Sequence, residues 1–278
     1  MDDVRRTLLL RAALNNAEWC DAVCRAHGLA PQYDDEHLWV SPERTPPMYP
    51  DAVTLEPSVS AKSVLLRMDT DSPGCSVKDS FAGLDLAGDG FEVLFAAQWI
   101  HRPAGARLPE AGPSGVEWSE VSGAGELASW EAAFDGGEGD ESDESDESDE
   151  SDESDESDEA NEHSRAGRLF PPSLLGEDVV FLAGRAGGRI VAGAVASTGG
   201  GVAGVSNLFA RDESAAGTDA AWAGVLAAVS ARWPDLDVVG YEHGEDLEAA
   251  LRAGFTAIGP LQVWLRTSDR THHLRARA

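Results

Sequence analysis

The sequence predicts an α+β protein built on a mixed sheet flanked by helices. Three observations carry this expectation. Short apolar runs of strand length interleave with segments of helical period along the chain. Gly-Gly and Gly-Phe pairs punctuate them at turn and helix-end positions. A single low-complexity acidic tract interrupts the C-terminal half and offers no large apolar side chain to bury.

The opening "MDDVRRTLLLRAALNNAEW" reads as a helix. Its Leu8–Leu10 run is short, lacks a small-residue cleavage site and gives way to charged and amide residues, which argues against an export signal. "WVSPERTPPMYPDAVTLEP" reads as strand, Pro-rich turn and strand. "SAKSVLLRM" is a short helix, and "FEVLFAAQWIHRP" is a strand stopped at Pro103. "AGARLPEAGPSG" is polar and rich in Pro and Gly, as a domain boundary should be. This predicts an accessory α/β domain over 1–105, a linker over 106–115, a second domain over 116–268 and a tail over 269–278.

In the second domain "VEWSEV" is a strand. "GELASWEAAF" is a helix with Leu127, Trp130 and Phe134 at i, i+3, i+7. "PPSLL" is a helical turn opened by proline. "DVVFLAGRAGG" and "RIVAGAVASTGG" form a hairpin at Gly187-Gly188, and "GVAGVSNLFA" adds a third strand. "DAAWAGVLAAVSARW" is a helix for which Asp219 is the expected N-cap. "LDVVGYEH" is a strand, "EDLEAALRAGF" a helix closed by Gly254, and "TAIGPLQVWLR" a final strand. The order is β-α-α-β-β-β-α-β-α-β.

Charge bounds the function. The formal net charge is −29, from 50 acids against 21 bases. Residues 135–167 hold six Ser-Asp-Glu triplets and are expected to be a disordered, extended insert. Residues 135–162 hold 17 acids and no Lys or Arg, which leaves 33 acids against 21 bases elsewhere, still −12. Only Lys62 and Lys78 are lysines; the other bases are arginines. So acidic a chain is kept soluble while its compact state repels itself, and it is expected in a salt-rich cytoplasm, with halophilic character. Contact with nucleic acid phosphates is disfavoured. No apolar run approaches the ~18 residues that span a bilayer, so no membrane partner is expected. Three cysteines do not make a disulfide framework. Cys20, Cys24 and His27 share one helix face, with Cys75 available as a fourth ligand, but the spacing fits no paired-Cys zinc pattern. Packing of small side chains is the expected role, and no metal site is assigned.

The strand–helix order, with "GGGVAGVSNLF" as central strand and "YEHGEDLEAALRAGFTAIGPLQVWLR" as closing unit, resembles the GNAT superfamily of N-acetyltransferases over roughly 116–268. The resemblance implies a mixed sheet whose central strand splays from the next. Acetyl-CoA would lie in the gap, its pantetheine along the central strand and its pyrophosphate at the following helix N-terminus. An amine, on a small molecule or a protein, would attack the thioester. The backbone of Val205, Asn207 and Phe209 would then hold the cofactor arm, and Ser214 and Gly217 its phosphates. Tyr241, Glu242 and His243 would handle protons at the end of their strand. Alternation along the strand sends Tyr241 and His243 to one face and Glu242 to the other.

Two departures keep a second reading open. The family's phosphate loop maps here as Ser214-x-x-Gly217-x-Asp219, with an acid where a glycine is usual. Ala250 stands where the family places its acid tyrosine, and His243 where it places an asparagine. The alternative is a non-catalytic module of the same fold that binds a ligand or protein through a degenerate CoA site. A tandem arrangement is also expected. "VKDSFAGLDLAGDGFEVLFAAQWIHR" aligns without gaps on the closing unit, matching Gly90/Gly254, Phe91/Phe255, Gln98/Gln262 and Arg102/Arg266.

Overall fold

The computed structural model describes residues 3–34, 37–71, 74–110, 115–136, 168–211 and 217–266. Five helices are described: α1 Asp3–Ala26, α2 Ala61–Leu65, α3 Ala124–Phe134, α4 Thr218–Arg232 and α5 Gly244–Arg252. The first strands are β1 Gln32–Asp34, β2 Leu38–Val40, β3 Ala52–Thr54, β4 Ser76–Asp79 and β5 Phe91–Arg102. They are followed by β6 Glu117–Glu120, β7 Val179–Ala186, β8 Arg189–Gly199, β9 Val202–Ala210, β10 Val238–Glu242 and β11 Thr256–Arg266. The elements match the expected order over 116–266; in the N-terminal half the short strands β1 and β4 are additions that the sequence pattern does not reveal. Most of the tract expected to be a disordered insert lies outside the described residues, as does Ser214.

All eleven strands join one mixed sheet, in the order β1-β2-β3-β4-β11-β5-β10-β9-β8-β7-β6. The two ends of the chain therefore exchange strands. β5, from the N-terminal half, lies between β10 and β11, and β11 lies between β4 and β5. The antiparallel β5–β11 register is two-fold symmetric. Ala97 opposes Leu261, Gln98 opposes Pro260 and Ala96 opposes Gln262. Trp99 opposes Gly259 and Phe95 opposes Val263, and each flank carries one bulge. Equivalent residues in this pair are 164 apart, the offset of the ungapped sequence alignment. Such reciprocal pairing is the geometry of a self-complementary interface. The exchange extends into the cores. Ile100 of β5 packs with Trp222, Leu226 and Phe255, whereas its mate Trp264 of β11 packs with Val64, Val77 and Leu86.

α1 and α3 cover one face of the sheet and α4 and α5 the other. α1 buries a stripe of Leu9, Ala12, Ala13, Asn16, Trp19, Cys20 and Val23, the period of a helix seated on a surface. Its seat requires close approach. A Cβ on Gly204 of β9 would stand 1.8 Å from Asn15 Oδ1, and Asn15 Nδ2 donates to the Ser197 carbonyl at 3.1 Å. Gly200, at φ +56°, brings its turn against the Arg11 carbonyl.

Asp219 is corrected. Gly217 is the N-cap of α4, and no side chain caps it. Asp219 lies in the first turn and pairs with Arg252 of α5, with contacts of 2.8 to 3.1 Å. The helix begins at Thr218, ahead of Asp219, so the carboxylate sits inside the first turn and reaches Arg252 instead of capping. Cys20 and Cys24 are buried in the α1 contact, and burial pushes their thiols up to about 11 and about 12. His27 lies beyond the end of α1, with Nε2 3.0 Å from the Leu169 carbonyl. Among the described residues no group of three His, Cys, Asp or Glu side chains is placed to hold a metal ion. No described helix is long and apolar enough to cross a membrane.

Candidate active site in the opening between strands 9 and 10

The parallel pairing of β9 with β10 registers Ala203 with Val238 and Gly204 with Val239, and then ends. Both strands continue, to Ala210 and Glu242. The cause is visible in β9. Its register to β8 passes from Ser206↔Val195 to Phe209↔Gly193, so Asn207 and Leu208 together oppose Ala194. This is a bulge, which bends a strand and increases its twist. Asn207 adopts φ +53°, a left-handed conformation that asparagine tolerates better than most residues. Asn207 is thus a bulge residue inside the strand.

A cavity of about 260 Å³ occupies the opening. Val205, Asn207, Tyr241, Glu242 and His243 line it, together with Ser206 and Leu208. Glu242 shares the cavity with Tyr241 and His243 despite strand alternation, because β10 ends at Glu242 and the chain turns into α5. His243 is the N-cap residue of α5 and rests on Phe95, ring centroids 5.6 Å apart. Burial, aided by the charge of Asp246, raises the Glu242 carboxyl to about 8. Phe209 turns its ring away, against Trp130 and Phe134 at 5.3 and 5.8 Å. Ala250 is fully buried beneath α5, so no tyrosine reaches the cavity from that position.

The N-terminal half supplies the rest of the wall. Asn16, Trp19 and Cys20 come from α1, Met48, Tyr49 and Pro50 from the loop before β3, Lys78 from β4 and Phe95 from β5. Lys78 is 4% exposed; its Nζ donates to Asn16 Oδ1 at 2.8 Å and to the Tyr241 hydroxyl at 3.1 Å. Lys78 and Tyr241 face each other across the pseudo-two-fold, since they oppose Val263 and Trp99, themselves equivalent. Lys78 and Tyr49 are site residues that motif reading misses. The one available signal was rarity: Lys78 is one of two lysines and Tyr49 one of three tyrosines.

A second cavity, of about 640 Å³, shares Met48, Tyr49, Pro50, Lys78, Phe95 and Tyr241 with the first. It continues over β4 and β11, under the Pro46–Pro50 loop.

Comparison of folds agrees with this architecture. A GCN5-related N-acetyltransferase from Kribbella flavida superposes with a TM-score of 0.55 at 15% identity, covering 91% of this chain and 95% of that one. A functionally unknown conserved protein from Staphylococcus epidermidis gives 0.52 at 10% identity, over 86% and 94%. A protein from Novosphingobium aromaticivorans assigned to the GNAT family gives 0.50 at 13%, over 90% and 97%. No family model and no curated protein matches the sequence. The chain therefore has a divergent GNAT-like fold, and the likeness spans both halves.

Proposed function

We propose that this protein is an acyl-CoA-dependent N-acetyltransferase whose site is the opening between β9 and β10. The observation that carries the reading is a raised carboxyl, Glu242, in a cavity at the end of an interrupted parallel ladder. The residues present fit the acyl end of acetyl-CoA. Beyond Gly204 the backbone of β9 is no longer paired with β10, so Val205 to Phe209 would be free to face an extended arm. The phosphate end would meet the N-terminus of α4 at Gly217, where Arg252 neutralises Asp219.

When bound, acetyl-CoA supplies a thioester carbonyl open to attack by an amine. Glu242 takes a proton from that amine, a task suited to a carboxyl with a raised pKa. The Tyr241 hydroxyl, which accepts from Lys78 Nζ, would give a proton at the sulfur. His243 walls the cavity beside Phe95 and serves as an alternative proton carrier.

Calorimetric titration of acetyl-CoA into the protein in molar KCl tests the proposal. The native chain should bind at micromolar concentration. Asp219→Gly should bind several-fold tighter at low salt, with a smaller gain in molar KCl, where the Debye length is ~3 Å. Absence of binding by both chains would remove the enzyme reading and leave a ligand-binding module of the same fold.

A further inference from the structure

The larger cavity lies over β4 and β11, away from the β9 strand and the N-terminus of α4. Its charged lining residues are Arg44 and Lys78; no described carboxylate lines it, in a chain of net charge −29. The two cations differ. Arg44 is paired with the buried Asp51 and also donates to the Asp69 carbonyl. Lys78 is bonded to an amide oxygen and a phenol oxygen, both neutral, and forms no ion pair among the described residues. A buried ammonium without a counter-ion is costly unless an anion joins it.

An independent observation points to the same place. Tyr49 lines both cavities, and its hydroxyl is buried with no hydrogen-bond partner. Its near neighbour Trp19 offers only an indole N–H, which cannot accept its proton. A buried unsatisfied donor costs about 1–3 kcal/mol, so an acceptor is expected there. Apart from Thr45, Ser76 and Tyr241 the rest of the lining is apolar or glycine, and Met48 and Leu94 are 71% and 56% exposed. Large apolar side chains are held in water here at the mouth of a cavity, as at ligand sites.

We propose that the larger cavity binds a carboxylate with an apolar body, its oxygens taken by Lys78 Nζ and the Tyr49 hydroxyl. If the acyl-transfer reading holds, on which this last step rests, that ligand is the acceptor: an apolar α-amino acid. Its amine then lies at the shared wall, on the side where Glu242 takes the proton.

Three probes with one apolar body separate the parts of this idea: L-phenylalanine, 3-phenylpropionate, which lacks the amine, and phenethylamine, which lacks the carboxylate. Binding is read by calorimetry and by tryptophan fluorescence, to which Trp19 beside Tyr49 contributes. The two carboxylates should bind at least tenfold tighter than phenethylamine. Lys78→Met should abolish that preference while keeping a cooperative melt. Tyr49→Phe, which deletes one oxygen, should reduce it several-fold. Equal binding of all three probes, or a preference unchanged in both variants, overturns the proposal. Acetyl-CoA titration reads the other reading separately: carboxylate binding without acetyl-CoA binding retains this site and removes only its role as acceptor site.

Discussion

Glu242 owes its behaviour to position. It ends a strand, lies against a cavity wall and faces the Asp246 carboxylate in the first turn of α5. Burial is the larger cause of its rise to about 8 and Asp246 the smaller. If Glu242 is the base, transfer should rise about tenfold per pH unit until about 8 and then level off. Glu242→Gln should lose roughly 100-fold in rate and flatten the profile. The same residue links folding to pH. The folded state holds this proton more tightly than the unfolded chain, whose carboxyl titrates near 4.5. Stability from the group is fully present below that value and is lost as pH rises through about 8. Urea midpoints at pH 6 and pH 9 should therefore fall in the native chain and fall less in Glu242→Gln. An identical fall in both would show that the carboxyl is not held in this environment.

At the scale of elements, the bulge in β9 depends on what packs behind it. A Cβ on Gly193, opposite Phe209, would stand 2.5 Å from both the Phe209 ring and the Trp130 indole nitrogen. Trp130 cannot retreat, because it is fully buried and its N–H donates to the Leu182 carbonyl at 2.9 Å. Gly193→Ala should cost about 1–3 kcal/mol by overpacking. It should also weaken ligand binding, because Phe209 is the residue that closes the bulge. A stable variant with unchanged acetyl-CoA affinity would separate the bulge from the site. Most elements were legible in the sequence, where the 2.0 and 3.6 periods, Pro103, Gly187-Gly188 and Gly254 bound them closely, but the three- and four-residue strands β1 and β4 are too short to show a period. Tyr241, Glu242 and His243 were legible as a strand end running into a helix. Strand partners were not. A period of two says which face a side chain takes but not which strand lies beside it, so the β5–β11 exchange showed only as a faint repeat at 164 residues. Lys78 was illegible for the same reason, since it reaches Tyr241 across that exchange.

The whole molecule carries its charge in two different ways. The acidic tract leaves from the end of α3 and returns at Arg168, and both anchors are firm. Glu131 accepts from the Leu169 and Phe170 amides, and Phe170 packs edge-on to Phe134 at 6.0 Å. Deleting residues 139–159 removes 14 acids and leaves ten residues to join Gly136 to Arg168. The melt should stay cooperative, because the contacts that hold both anchors lie outside the deletion. The remaining chain is still strongly acidic, at −12 outside the 135–162 stretch. Most of those acids fall on described residues, where like charges are held at fixed separations and oppose compaction. Salt relieves this by shortening the Debye length from ~30 Å at 0.01 M to ~3 Å at 1 M. The melting midpoint should thus rise by several degrees or more from low to molar KCl. It should rise nearly as much in the deletion variant, because the charges that strain the fold are still present. Equal midpoints at both salt concentrations in the native chain would refute a salt-adapted fold. A rise confined to the native chain would place the repulsion in the tract and not in the folded surface.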